Sequence, residues 1–125
     1  MMRVFKAKEF GRFARKERIA DTSLCDAVKR AGEGLIGADL GGGLIKQRIA
    51  RPGQGRSGGY RTLMAFRSKL RTVFVYSFAK SERDNIDPDE LEFWQRVAAS
   101  YHAMNDATLG MLIEELELKE VDCHG

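Results

Sequence analysis

The stretch TVFVYSFA, residues 72–79, decides how the rest of the chain is read. Its run from Val73 to Ala79 is apolar on both sides, and such a strand belongs at the centre of a small sheet covered by helices. Working outward, Tyr60–Arg67 reads as its neighbour, joined to it by a short hairpin at Ser68-Lys69-Leu70-Arg71. Before that, the period moves to two from Leu44, so Leu44–Ala50 reads as a further strand. Gly41-Gly42-Gly43 marks the change of texture ahead of it.

Helical spacing takes over on either side of this meander. Arg3-Val4-Phe5 is a short extended start. Phe10, Phe13 and Ala14 then form the apolar stripe of a first helix among Lys6, Lys8, Arg12, Arg15 and Lys16. Asp21, Thr22 or Ser23 caps a second, with a stripe of Leu24, Ala27, Val28, Ala31 and Leu35. Downstream, Asp87-Pro88-Asp89-Glu90 starts a helix with a cap, a proline at the first position and the makings of a capping box. Its stripe is Leu91, Trp94, Val97, Ala98 and Tyr101. Asn105 or Asp106 caps a last helix that runs to Lys119, with Leu109, Leu112, Ile113 and Leu116 inside. The expectation is an α+β domain: an N-terminal strand and two helices, a three-stranded antiparallel meander (about four strands in all), then C-terminal helices.

At 125 residues the chain is long enough for one core without disulfides or a metal. Cys25 and Cys123 read as isolated thiols of a reducing compartment. MMRVFKAKEF lacks the apolar middle of a signal peptide, and no run approaches the ~20 apolar residues of a membrane span, so a cytoplasmic protein without a membrane partner is expected. Cys123-His124 offers two ligands at a chain end, which do not make a metal site. Charge is uneven. Residues 1–81 carry 18 Lys and Arg against 6 Asp and Glu, whereas residues 82–125 carry 3 against 12. A basic body before an acidic last third points to a polyanion-binding face, with a segment that competes for it or docks a partner.

The basic residues also cluster locally. RPGQGRSGGYR, residues 51–61, sets Arg51, Arg56 and Arg61 among four glycines and no carboxylate. Gly53–Gly58 fits the GxGxxG dinucleotide fingerprint, but that motif needs a helix after it, and here a strand follows. Alternation says more. Lys46 and Arg48 are two apart on one strand and share a face, Arg61 lies on the next, and Lys80 closes the apolar run. If one side of the sheet presents all four, they converge on a cationic hollow while the helices cover the other side. The glycines would let backbone amides approach phosphate oxygens at its rim.

GLIKQR (residues 43–48), GxGRSGGYR (53–61) and FVYSFAKSE (74–82) together resemble the RelE/ParE superfamily of bacterial toxins, closest to the RelE-like, HigB-type branch. In element order the resemblance covers about the first hundred residues, making 1–105 the toxin domain and 106–125 its acidic, helical C-terminal extension. It implies a ribosome-dependent endoribonuclease that cuts mRNA and is neutralised by a cognate antitoxin, one carrying a helix-turn-helix domain. The substrate's 2′-hydroxyl attacks the adjacent phosphorus, and neither cofactor nor metal is called for. On that reading Arg61 stabilises the phosphorane, its planar fork matching two oxygens, and Lys80 transfers protons at a pKa lowered by its cationic neighbours. Lys46, Arg48, Arg51 and Arg56 hold RNA, and Tyr60 or Tyr76 stacks on a base. Some relatives carry a histidine or tyrosine as general acid. No residue here takes that role, and His102 reads as a surface residue. Two other functions stay open: a ParE-like inhibitor of DNA gyrase, and a non-catalytic RNA-binding regulator.

Overall fold

Strand β5 (Arg71–Ala79) has a neighbour on each side: antiparallel β4 (Tyr60–Arg67) and parallel β1 (Arg3–Ala7). The computed structural model describes residues 2–51, 58–67 and 70–123. Between β1 and β4 come α1 (Lys8–Lys16), α2 (Asp21–Gly32), β2 (Ala38–Gly41) and β3 (Leu44–Ile49). After β5 follow α3 (Pro88–Ala103), α4 (Asp106–Glu114) and β6 (Leu118–Val121). The strands make one mixed sheet in the order β2-β3-β4-β5-β1-β6.

Both faces of this sheet are covered. Against α1 and α2 lie Val4, Ile49, Tyr60, Met64 and Phe74, with Phe10 of α1 stacked on Phe74 at 5.2 Å. On the other face Phe5, Leu44, Leu63 and Val73 cluster with Ala98 of α3 and Leu109 of α4. A bulge lets β5 serve both layers: Leu63 pairs with Tyr76 but Met64 with Phe74, so Val75 is the extra residue and joins Tyr76 on the α3 side. Gln47 is buried toward α2, where its Nε2 donates to the carbonyls of Ala27 (3.1 Å) and Leu35 (2.9 Å). Both donors of the amide are satisfied, and the end of α2 is pinned to β3.

The α+β class holds, but the expected count of about four strands does not. The sheet has six. The β2 strand is four residues (ADLG) running into the glycine turn, too short for its pattern to register. The last helix ends at Glu114, not Lys119. Leu116 then takes a left-handed φ of 62° and turns the chain back, so that Leu118–Val121 pairs antiparallel with β1. The helices do not sit on one side only: α3 and α4 occupy the face assigned to the cationic hollow. Asp21 begins the first turn of α2 and pairs with Lys6 at 3.0 Å, while Asn105 caps α4 by accepting from the Thr108 N–H at 2.8 Å.

Cys25 and Cys123 are not free thiols. They form a disulfide with Cα atoms 5.5 Å apart, joining α2 to the chain just past β6 across 98 residues of sequence. Among the described residues no helix is long and apolar enough to cross a membrane.

Candidate nucleic-acid interface

The β3–β4–β5 register places the basic residues. Lys46 pairs with Leu63 and Arg48 with Arg61, while Leu63 and Arg61 pair in turn with Tyr76 and Phe78. Because side chains alternate, Lys46, Arg48, Arg61, Tyr76 and Phe78 share the α3 face, and Gln47, Tyr60, Thr62 and Ser77 point the other way. Beneath Arg61, Ser77 Oγ donates to its carbonyl at 3.1 Å, and the Thr62 and Ser77 hydroxyls lie 2.9 Å apart. This buried pair holds the backbone from which the guanidinium projects. Just upstream, Gly59 packs so closely on Ile49 and Arg51 that no Cβ would fit.

Arg61 is only 7% exposed, whereas Arg48 opposite it is open to solvent. Burial first, and then the charge of Arg48, push the Arg61 pKa down, while Asp84 acts in the opposite sense. A guanidinium starts from so high a pKa that it stays a cation. The result is a fixed, partly desolvated positive charge. Desolvation strengthens the attraction of such a charge for an anion that reaches it.

The turn after β5 brings in the remaining groups. Lys80 donates its backbone N–H to the Gly59 carbonyl at 3.1 Å, and its side chain is exposed at this same end of the sheet. Arg83 then clips the turn to α3. Its Nη2 and Nη1 donate to the two Glu90 oxygens at 2.7 and 3.2 Å, its Nε donates to the Asn85 carbonyl at 2.9 Å, and it lies 5.2 Å over the Phe78 ring. Glu90 also accepts from the Asp87 N–H at 3.1 Å, completing its half of the capping box. These contacts, Arg83 first, hold the Glu90 carboxyl down to about 2.

Other candidates lie elsewhere. Tyr60 is 1% exposed on the α1 face, where it donates to Glu17 at 2.8 Å and packs edge-on to Phe13, so its ring is closed to a base. Burial and then Glu17 raise its pKa. Arg51 sits 5.9 Å over that same ring, away from Arg61's side of the sheet. Tyr76 is on the right face, but Trp94 stacks on it at 5.1 Å and Arg83 donates to its hydroxyl at 3.4 Å. Arg56, with Gly53, Gln54, Gly55 and Ser57 of the glycine motif, lies outside the described residues, as do Ser68 and Lys69 of the hairpin and His124. His102 is not a plain surface residue: its Nε2 is 3.0 Å from the Gly43 carbonyl oxygen, and its Nδ1 is buried. Of the acidic C-terminal segment, β6 sits beyond both β5 and β1 from Arg61's strand. Asp84 and Arg83 are neighbours that the sequence did not single out, and Trp94 was read only as part of a helix stripe. The only signal was Glu90's capping position, which hides its second bond to Arg83.

The family profile described as RelE toxin of RelE / RelB toxin-antitoxin system matches residues 2–121, which contain Lys46, Arg48, Arg61 and Lys80. No curated protein and no solved structure matches the chain. A profile that takes in every strand and helix of the sheet and its two covering layers shows the family, and with it an antitoxin as partner. The chain belongs to the RelE toxin family and is the toxin of a toxin–antitoxin system.

Proposed function

We propose that this toxin is a ribosome-dependent endoribonuclease, of the HigB-type branch, acting on mRNA at the open end of the β3–β4–β5 sheet. The observation that carries the reading is the direct pairing of Arg48 with Arg61, with Lys46 on the same face and Lys80 at the adjoining strand end. Lys46 and Arg48 hold phosphates on either side of the scissile bond. Arg61, fixed and partly desolvated, faces the phosphorane oxygens, where negative charge grows as the 2′-oxygen bonds to phosphorus. Lys80 takes the role of proton transfer: the 2′-hydroxyl loses a proton, the 5′-oxygen leaves with one, and a cyclic phosphate remains. Arg83 and Glu90 act at one remove by holding the turn that carries Lys80.

Expression in growing cells with mapping of transcript 5′ ends tests this. New ends that require translation and vanish in Arg61→Ala and Lys80→Ala are the expected result. Growth arrest with intact mRNA and a DNA-damage response would instead point to gyrase, and harmless expression to a non-catalytic RNA-binding protein.

A further inference from the structure

The chain's two cysteines meet where two open grooves adjoin. One, of about 500 Å³, is lined by Cys25 and Cys123 themselves, with Met2, Thr22 and Lys29 around them. The other, of about 400 Å³, reaches Cys123 again from the side of Arg3 and Glu120. Both cysteines are half-buried at the margin of the core. A bridge placed so is within reach of an attacking thiol, as one sealed inside a core is not.

Its position along the chain shows what it holds. The chain enters β6 pinned by the Lys8 N–H, which donates to the Glu117 carbonyl at 3.0 Å. It leaves β6 through the bridge, two residues past Val121. Between these two points four residues pair with β1 alone, and only Leu118 and Val121 are buried. The Arg3–Glu120 ion pair is exposed, and pairs of that kind contribute little.

We infer that the Cys25–Cys123 bridge is a thiol–disulfide exchange site, opened by a dithiol, and that opening it releases the exit end of β6 to proteolysis. The inference is independent of the nuclease reading. A thiolate of the dithiol attacks Cys123 Sγ, which both grooves reach; the S–S bond breaks and its electron pair leaves on Cys25 Sγ. Lys29, one turn further along α2, lines the same groove and favours that thiolate, while Asp26 is already held by Arg30 at 2.9 Å. Cys25 takes up a proton. The second thiol of the reductant then attacks the mixed disulfide and frees Cys123, which takes up the other proton, so two electrons and two protons pass to the protein. The chain beyond Val121 is now untethered. An edge strand on a single short ladder opens locally, without the rest of the sheet, and exposed Lys119 becomes a cleavage point.

Two measurements on the full-length oxidised protein test this. Brief exposure to glutathione, acid quenching and peptide mapping should find glutathione on Cys123 and Cys25 free. Glutathione on Cys25 instead, or no exchange, would overturn the assignment. A lysine-specific protease, added under native conditions with and without dithiothreitol, should cut after Lys119 at least about tenfold faster once the bridge is reduced. That cut should precede cuts at other lysines, and its rate should change little in low urea, as local opening requires. Cys25→Ser should be cut at the reduced rate whether or not the dithiol is present. An unchanged rate at Lys119, or cuts at many lysines together with a steep dependence on urea, would show that the bridge does not gate β6.

Discussion

Arg48 and Arg61 stand directly opposite each other across the β3–β4 ladder, and the more buried of the two, Arg61, has its pKa lowered by burial and by the other's charge. Cross-strand like charges disfavour folding by a few tenths of a kcal/mol, so the pairing serves something other than stability. Arg61→Met keeps the length of the side chain and removes a desolvated charge. Its stability should match the wild type or exceed it by up to about 1 kcal/mol, while cleavage falls at least about a hundredfold. Arg61→Lys should lose nearly as much activity, because an ammonium cannot span two phosphate oxygens. Thermal unfolding and 5′-end mapping on the same variants check both halves. A methionine variant several kcal/mol less stable would recast Arg61 as a structural residue.

Acid should loosen the turn that carries Lys80. The Glu90 carboxyl is lowered from 4.5 to about 2 on folding, first by hydrogen bonds from Arg83 and then by the Asp87 N–H. A group with a depressed folded pKa contributes stability that is complete above its unfolded pKa and is lost as pH falls through the folded one. The difference in Tm between wild type and Glu90→Gln should therefore stay constant from neutral pH down to roughly 5 and close as pH falls toward about 2. A gap that is still fully open at the acid end would remove Glu90 as its source.

How much of this was legible follows from range in sequence. The β3–β4–β5 meander is local: its strands are neighbours in the chain, and VFVYSFA announces a strand with both faces covered. Arg48 and Arg61 share a face through parity alone once that pairing is granted. By the same rule Tyr60 and Arg61, adjacent on one strand, could never share one. That exclusion could have been drawn from the sequence. The edge strands were hidden because four residues of ADLG or LKEV pair only where tertiary structure supplies a partner. LKEV also follows a 3/4-spaced run, and the break at Leu116 is a left-handed leucine with no glycine to mark it. Which face the C-terminal helices cover is not encoded in strand parity, and no local pattern joins Cys25 to Cys123 across 98 residues.

That disulfide should matter to stability more than to the site. It ties α2 to the chain end beyond β6, leaving β1 and β5 between it and the strand of Arg61. Closing so long a loop restricts the unfolded chain, so reduction, or Cys25→Ser, should cost about 2–4 kcal/mol. Urea unfolding with and without a dithiol reductant measures it, with thiol titration to count the cysteines released. Cleavage by the reduced protein, assayed below its unfolding temperature, should stay close to wild type. A wild type whose midpoint ignores the reductant, and whose thiols titrate before it is added, would show that the bridge does not form in solution.

Gly59 gives the sharpest test of whether backbone contact aligns the two arginines. A Cβ there would strike the Ile49 carbonyl oxygen and would lie 2.7 Å from the Arg51 nitrogen and 3.1 Å from the Ala50 carbonyl carbon. These are backbone atoms at the end of β3 and cannot swing aside as a side chain would. The Gly59 carbonyl also accepts the Lys80 N–H, so a shift at this residue reaches Arg48, Arg61 and Lys80 together. Gly59→Ala should destabilise by about 1–3 kcal/mol and reduce cleavage at least about tenfold. Gly110→Ala is the control: it lies within α4 with nothing inside 4 Å of an added Cβ, so it should stabilise by about 0.5–1 kcal/mol and leave cleavage unchanged. Urea midpoints and cleavage rates of the two variants, taken side by side, separate a general effect of glycine replacement from loss of this one contact. Wild-type behaviour from Gly59→Ala would mean that the β3–β4 junction gives way freely, and that something other than this backbone contact holds Arg48 against Arg61.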